Sequence, residues 1–174
     1  MVEAGRAPFD LDELNRAWSV VGQVGLAWLL RDRSERLSEI SPAMQDMVQT
    51  GAKVSATAYY DAIDFIIRLR STMLSFFAEH DVILTPSIAA LSWPITEIFP
   101  PIIDGRPAGP RGHAVFTAFA NMAGCPAINV PCRPSRGGLP IGFQLVGSER
   151  QDEMLLALAA QYERAHPWAR RAPI

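Results

Sequence analysis

Residues 117–147, TAFANMAGCPAINVPCRPSRGGLPIGFQLVG, read as one supersecondary unit. A buried helix ends at Gly124, which can adopt the left-handed C-cap conformation without a Cβ clash, and Pro126 cannot extend the helix. Ala127–Pro131 then reads as a strand, Cys132–Pro140 as a loop, and Ile141–Val146 as a second strand paired with the first. Period-two alternation sends Ile141, Phe143 and Leu145 to one face and Gly142, Gln144 and Val146 to the other. Gly142 leaves room for another backbone or side chain to come close. Gln144 is the odd polar group on an otherwise apolar strand.

Upstream, the pattern is helical. Asp10 caps a helix that runs to about Leu30, with Glu13 at capping-box spacing. Leu11, Leu14, Trp18, Val21 and Trp28 form its apolar stripe, and Gly22 and Gly25 weaken it unless another helix packs close there. The polar run Arg31–Glu39 leads to a short helix opened by Ser41-Pro42 and closed near Gly51. A long helix capped at Ser55 extends to about Glu79. Its buried face is Ala62, Ile66, Leu69, Met73, Phe76 and Phe77, and Asp61, Asp64, Arg68 and Arg70 lie on the wet face. It feeds a short strand, Val82–Thr85, apolar enough to sit centrally in a sheet. Helix into buried strand is α/β logic, and residues 1–80 read as helical while 81–174 form the sheet.

The sheet-forming half opens with a long loop, 86–112, in which Pro86, Pro94, Pro100, Pro101, Pro107 and Pro110 suppress regular structure. Trp93, Ile95, Ile98, Phe99, Ile102 and Ile103 make it too apolar for a solvated linker. Such a loop either drapes over the core or walls a pocket. After the strand pair, Ser148 and Gln151 have the spacing of a capping box and open the last helix, with Asp152 and Glu153 in its first turn. Met154, Leu155, Leu158 and Tyr162 give the inner face. Pro167 ends it, and the tail Trp168–Ile174 is expected to lie along the surface.

Composition narrows the function classes. The chain has 174 residues, 49% of them hydrophobic and 20% charged, with a net charge of −2. A domain of this length buries about 70% of its unfolded surface. Its basic residues are scattered, so nothing suggests a nucleic-acid partner. The sequence contains no charge-free apolar run of membrane-spanning length, and Met1–Arg6 does not read as the start of a signal peptide, which points to the cytoplasm and to no membrane partner. Cys125 and Cys132 flank an extended segment, about 20 Å apart at strand rise. A disulfide requires Cα atoms within about 7 Å, so both read as buried, reduced thiols. No His/Cys spacing suggests zinc. His80, His113 and His166 sit near helix ends, where histidine is often a cap or a surface group. A thiol dyad of Cys125 with His113 is opposed by the intervening helix, which separates them by about 16 Å.

Three motifs carry a family resemblance. Asn121-Met-Ala-Gly-Cys-Pro-Ala-Ile-Asn-Val-Pro131, Gly138-Leu-Pro-Ile-Gly-Phe-Gln-Leu-Val-Gly147 and, upstream, Asp81-Val-Ile-Leu-Thr-Pro86 occur in the order and at the spacing of amidase-signature amide hydrolases, which this chain resembles. That family includes bacterial amidases and fatty acid amide hydrolase. The likeness continues downstream from Glu153 to Pro173. It implies an α/β fold with helices packed on a mixed β-sheet, of which residues 1–174 would be one partial domain, the C-terminal third. It also implies hydrolysis of C–N bonds other than peptide bonds, with no cofactor and a small-molecule amide as substrate. By the same resemblance, the loop 86–112 and its surroundings line the substrate cavity, with Ser87, Trp93, Ile95, Phe99, Phe116 and Thr117 as pocket candidates. Trp93 and Phe99 would suit an apolar or aromatic substrate group.

The family's catalytic parts are a serine nucleophile, a second serine on a cis peptide that relays its proton, a lysine base, and backbone N–H groups that hold the oxyanion. A hydroxyl needs a base to become nucleophilic, and a tetrahedral intermediate needs donors already in place. The sequence has no adjacent serine pair, and its one lysine, Lys53, stands in a polar loop between helices. The chain alone is therefore expected to be inactive, with no catalytic residue of its own. Two roles follow: part of an amidase completed by an N-terminal portion, or a non-catalytic remnant that retains the fold and pairs with a different chain or with itself. In the tRNA-dependent amidotransferases of this family, an acidic residue that binds the substrate's amino group stands seven positions before the motif's Asn. Here that place is Ala114, which favours a stand-alone amidase with an uncharged substrate.

Overall fold

The computed structural model describes residues 1–167, so the tail Trp168–Ile174 lies outside the described residues. The chain forms two compact units, Met1–Thr72 and Met73–Ile174. Among the described residues, no helix is long and apolar enough to cross a membrane.

The first unit is helical. Helix α1, Leu11–Leu29, starts where the Asp10 carboxylate accepts the Glu13 N–H at 2.7 Å. It buries Leu14 and Ala17 and half-buries Trp18 and Val21. Leu11 and Trp28, expected in the same stripe, are instead 45% and 63% exposed. The stripe is narrower than the spacing suggested. The Arg31 guanidinium covers the outward Trp28 ring at 4.4 Å. A 3-10 turn, Ser34–Glu39, leads to α2, Pro42–Gly51, where the Ser41 hydroxyl accepts the Met44 N–H at 3.4 Å. The close helix approach occurs at Gly51, and Gly22 and Gly25 face open space. A Cβ on Gly51 would lie 2.9 Å from the backbone nitrogen of Val24 and closer still to the Gln23 carbonyl.

Helix α3, Ala56–Phe77, carries the chain from the first unit into the second. Ser55 caps it, accepting the Ala58 N–H at 3.1 Å. Ala62, Phe65, Leu69 and Met73 are buried, with Ile66, Phe76 and Phe77 half-buried, and Asp61, Asp64, Arg68 and Arg70 are exposed as expected. Arg68 donates to Glu13 of α1 at 2.6 Å and to Asp64 at 2.9 Å, and these bonds, Glu13's first, raise its pKa. The pair is exposed, so it adds little stability.

In the second unit, β1 (Val82–Pro86), β4 (Ala127–Pro131) and β5 (Gly142–Gly147) form a three-stranded sheet in the order β1-β5-β4. Both pairings are antiparallel, so the expected mixed sheet is corrected for the described residues. β1 is at an edge and not central, and its Leu84 is 57% exposed. An apolar run reports what a strand's side chains want to cover, and backbone pairing at its edges leaves no mark on it. β4 spans the residues expected, and β5 is shifted one residue toward the C-terminus. Helix α4, Ala118–Ala123, ends at Gly124 with φ 71°, the left-handed cap read from the sequence.

Helix α5, Asp152–Ala165, covers the face of the sheet that carries Phe143 and Leu145. Leu155 packs with Val130, Leu145 and Ala159, and Tyr162 meets Phe143 edge-on at 4.8 Å. Two expectations for α5 are corrected. Its N-cap is Gln151 with no side-chain bond, and the chain enters it through a turn in which Arg150 has φ 66° and the Ser148 carbonyl accepts the Gln151 N–H. Its inner face includes Ala159, whereas Leu158 is 36% exposed.

The loop 86–112 is also more ordered than its prolines suggested. β2 (Ile102–Ile103) and β3 (Arg106–Pro107) form a minimal hairpin whose turn, Asp104-Gly105, has φ values of 50° and 71°. Asp-Gly is a strong hairpin signal, and here it follows the apolar pair Ile102-Ile103.

Candidate functional site

The face of the sheet opposite α5 carries a polar row. Thr85 of β1 and Asn129 of β4 both lie in register with Gln144 of β5. Gln144 is 3% exposed. A buried carboxamide is costly unless its groups are bonded, and Nε2 donates to the Phe116 carbonyl at 2.7 Å and to Thr85 Oγ1 at 3.3 Å. Gln144 thereby ties the segment 113–117 to this face. Thr117 Oγ1 donates to the Ala114 carbonyl at 3.0 Å, which tightens the same segment from within.

At the end of β1, the ladder continues as Ser87 N–H donates to the Gly142 carbonyl at 3.1 Å. Gly142 is required here: a Cβ would lie 2.8 Å from the Val130 carbonyl and 3.0 Å from Ser87 Oγ. Because Gly142 alternates with Gln144 on one side of β5, Ser87 Oγ stands on the Gln144 face. Two residues on, the Ala89 N–H donates to the His113 carbonyl at 2.9 Å. The His113 ring lies 5.1 Å from that of Trp93, whose Nε1–H donates to the Glu97 carbonyl at 3.0 Å.

Ser87, Trp93, Phe116 and Thr117 thus belong to one cluster, joined through Gln144 and His113. Ile95 does not belong to it, being fully exposed together with Ile98. Phe99 is half-buried beside the buried Pro100. Gln144 stands out in the sequence as a polar residue on an apolar strand, whereas His113 reads there as a cap or surface group. The structure half-buries it in a 3-10 turn, Gly112–Ala114. Its neighbours come from an aperiodic loop, so no spacing announces it.

Two side-chain atoms of the cluster, Ser87 Oγ and His113 Nδ1, are shielded from solvent and have no hydrogen-bond partner among the described residues. A serine without a base to take its proton is not an activated nucleophile. Among the described residues, no three His, Cys, Asp or Glu side chains group to hold a metal ion. No disulfide joins the two cysteines, and both are only half-buried, which corrects their expected burial; Cys132 Sγ lies 3.5 Å from the Ile141 carbonyl. Removing the central amide tests the cluster. Gln144→Leu leaves the Phe116 carbonyl and the Thr85 hydroxyl without their donor and costs about 2 kcal/mol of stability, read from urea denaturation. An unchanged midpoint would show that the polar row is incidental.

The profile of the family described as Amidase matches residues 14–156. Among curated relatives, the chain is 27% identical over 161 residues to the acylamidase of Rhodococcus erythropolis, an alignment covering 90% of this chain and 33% of that protein. It is 33% identical over 136 residues to a glutamyl-tRNA(Gln) amidotransferase chain of Alkaliphilus metalliredigens (strain QYMF), covering 75% and 26%. The chain spans a third or less of the length of these relatives. Among solved structures, 6-aminohexanoate cyclic dimer hydrolase complexed with substrate superposes with a TM-score of 0.78 at 25% identity, over 92% of this chain and 36% of that one. A crystal structure of an amidase reaches 0.81 at 20% identity, over 90% and 36%, a likeness of fold alone.

Proposed function

The chain belongs to the amidase-signature family, and we propose that it forms the non-catalytic side of an amidase active site. In this reading β1, β5 and β4 are part of the frame, the segments 87–99 and 113–117 are part of the substrate-pocket wall, and the chain corresponds to the family's C-terminal third. The nucleophilic serine, the relay serine and the lysine base lie outside these residues. The reaction is hydrolysis of a small amide at a C–N bond other than a peptide bond, and Ala114 favours an uncharged substrate over one recognised through its amino group.

The observation that carries this reading is the polar cluster on the face opposite α5. There a buried glutamine anchors the wall, and two shielded polar atoms have no partner among the described residues. Interior polar groups are otherwise almost always paired.

The chain alone should then leave p-nitroacetanilide and p-nitrophenyl butyrate hydrolysed no faster than buffer does, because nucleophile, relay and base are missing. Release of nitroaniline or nitrophenol, followed by absorbance, provides the measurement. Turnover that Ser87→Ala or Cys125→Ala abolishes would overturn the assignment and locate a complete hydrolytic site within the chain.

A further inference from the structure

Resting on the reading of this chain as one part of a longer amidase, we infer that helix α3 carries a second apolar face, Tyr60, Ile67 and Leu74, on which the remainder of the amidase body packs. On one side α3 buries Ala62, Phe65, Leu69 and Met73. At about 100° per residue, Tyr60, Ile67 and Leu74 lie roughly 150° round the helix from that side. They are 72%, 59% and 54% exposed. Single exposed apolar residues scattered over a surface need no explanation. These three stand seven residues apart, a spacing that drifts only about 20° per step and stacks them in one line.

The rest of the helix circumference has the same bias. Asp61, Asp64 and Arg68 separate the two faces along one side. Along the other, Tyr59, Ile63, Ile66 and Phe77 join them, with Arg70 as the one charge. A helix at the surface of a finished body carries a single apolar stripe, and one that is apolar round most of its circumference is composed for burial. The length of the relatives points to what covers it. The chain spans about a third of the proteins it matches, so in this reading most of the amidase body lies outside it. A second copy of the chain is the poorer occupant. In an antiparallel two-fold pairing each flank of the stripe meets its own counterpart, which sets Arg70 against Arg70 and Asp64 against Asp64. A different surface can set an apolar row against Ile67 and a carboxylate opposite Arg70, and that is the chemistry the face selects.

The test compares the full 174-residue chain with the same chain exchanged into the Rhodococcus erythropolis acylamidase for the third that aligns with it. Ile67→Cys is introduced in both, and alkylation of the new thiol by iodoacetamide is followed by peptide mass, which separates it from Cys125 and Cys132. The thiol reacts freely in the isolated chain and at least about tenfold more slowly in the joined protein. Ile67→Asp is the second variant. It leaves the urea midpoint of the isolated chain unmoved, because the position is already wet, and lowers that of the joined protein, where it buries a charge. The inference is overturned by equal alkylation rates, by an Ile67→Asp joined protein as stable as its parent, by a joined protein that does not fold, or by a thiol already shielded in the isolated chain, as a second copy would shield it. A joined protein that shields the thiol without hydrolysing amides leaves this docking face standing and contradicts the pocket wall. Turnover with the thiol unshielded does the reverse.

Discussion

Gly51→Ala should cost the first unit about 3 kcal/mol, an unusually large effect for a single methyl group. The added Cβ meets backbone, namely the carbonyl of Gln23 and, at 2.9 Å, the nitrogen of Val24. A side chain could swing aside, but the backbone of α1 cannot, so α1 and α2 must separate. Alanine is normally favoured over glycine in a helix by about 1 kcal/mol. Here that preference applies only to the last residue of α2 and is outweighed. Urea denaturation of the variant provides the measurement. A variant as stable as the parent would mean that the two helices are not in this close contact.

Leu155→Ala should be comparably severe, at about 2–5 kcal/mol, the range for truncating a buried leucine whose cavity cannot collapse. Leu155 is 2% exposed and packs with Val130, Leu145 and Ala159. Its side-chain carbons lie 3.3–3.4 Å from where a Cβ on Gly147 would stand, so it fills the space the glycine leaves. Its loss frees α5 from the sheet. The β4 and β5 amides should exchange with solvent faster in this variant, and unchanged protection would place the core elsewhere.

What the sequence makes legible is local. Asp10, Ser41 and Ser55 read as caps, and each accepts the expected N–H. Gly124 reads as a left-handed stop and has φ 71°. These rules involve neighbours within one turn, so sequence suffices for them. The misses are tertiary or depend on competing local geometry. Gly22 and Gly25 suggest a close approach, but the contact is made by Gly51, because such an approach belongs to two helices and only one of them need supply the glycine. The Ser148 cap gives way to a turn through Arg150. The direction of strand pairing is not readable, since β1 joins its partner across 55 residues of chain between Pro86 and Gly142. Of the candidate cluster, Ser87, Trp93, Phe116 and Thr117 come from family resemblance, while His113 emerges only once folding has brought Ala89 and Trp93 against it.

Covalent replacement tests the central claim most directly. The third of the Rhodococcus erythropolis acylamidase that aligns with this chain is exchanged for it, and hydrolysis of an acyl amide that the parent enzyme cleaves is measured. The pocket-wall account predicts a folded chimera with turnover above buffer, lost when the parent's nucleophilic serine is removed and reduced by Gln144→Leu. A chimera that folds but shows no turnover on any amide that the parent cleaves would contradict the account, leaving the chain as a non-catalytic remnant that retains part of the fold without its pocket.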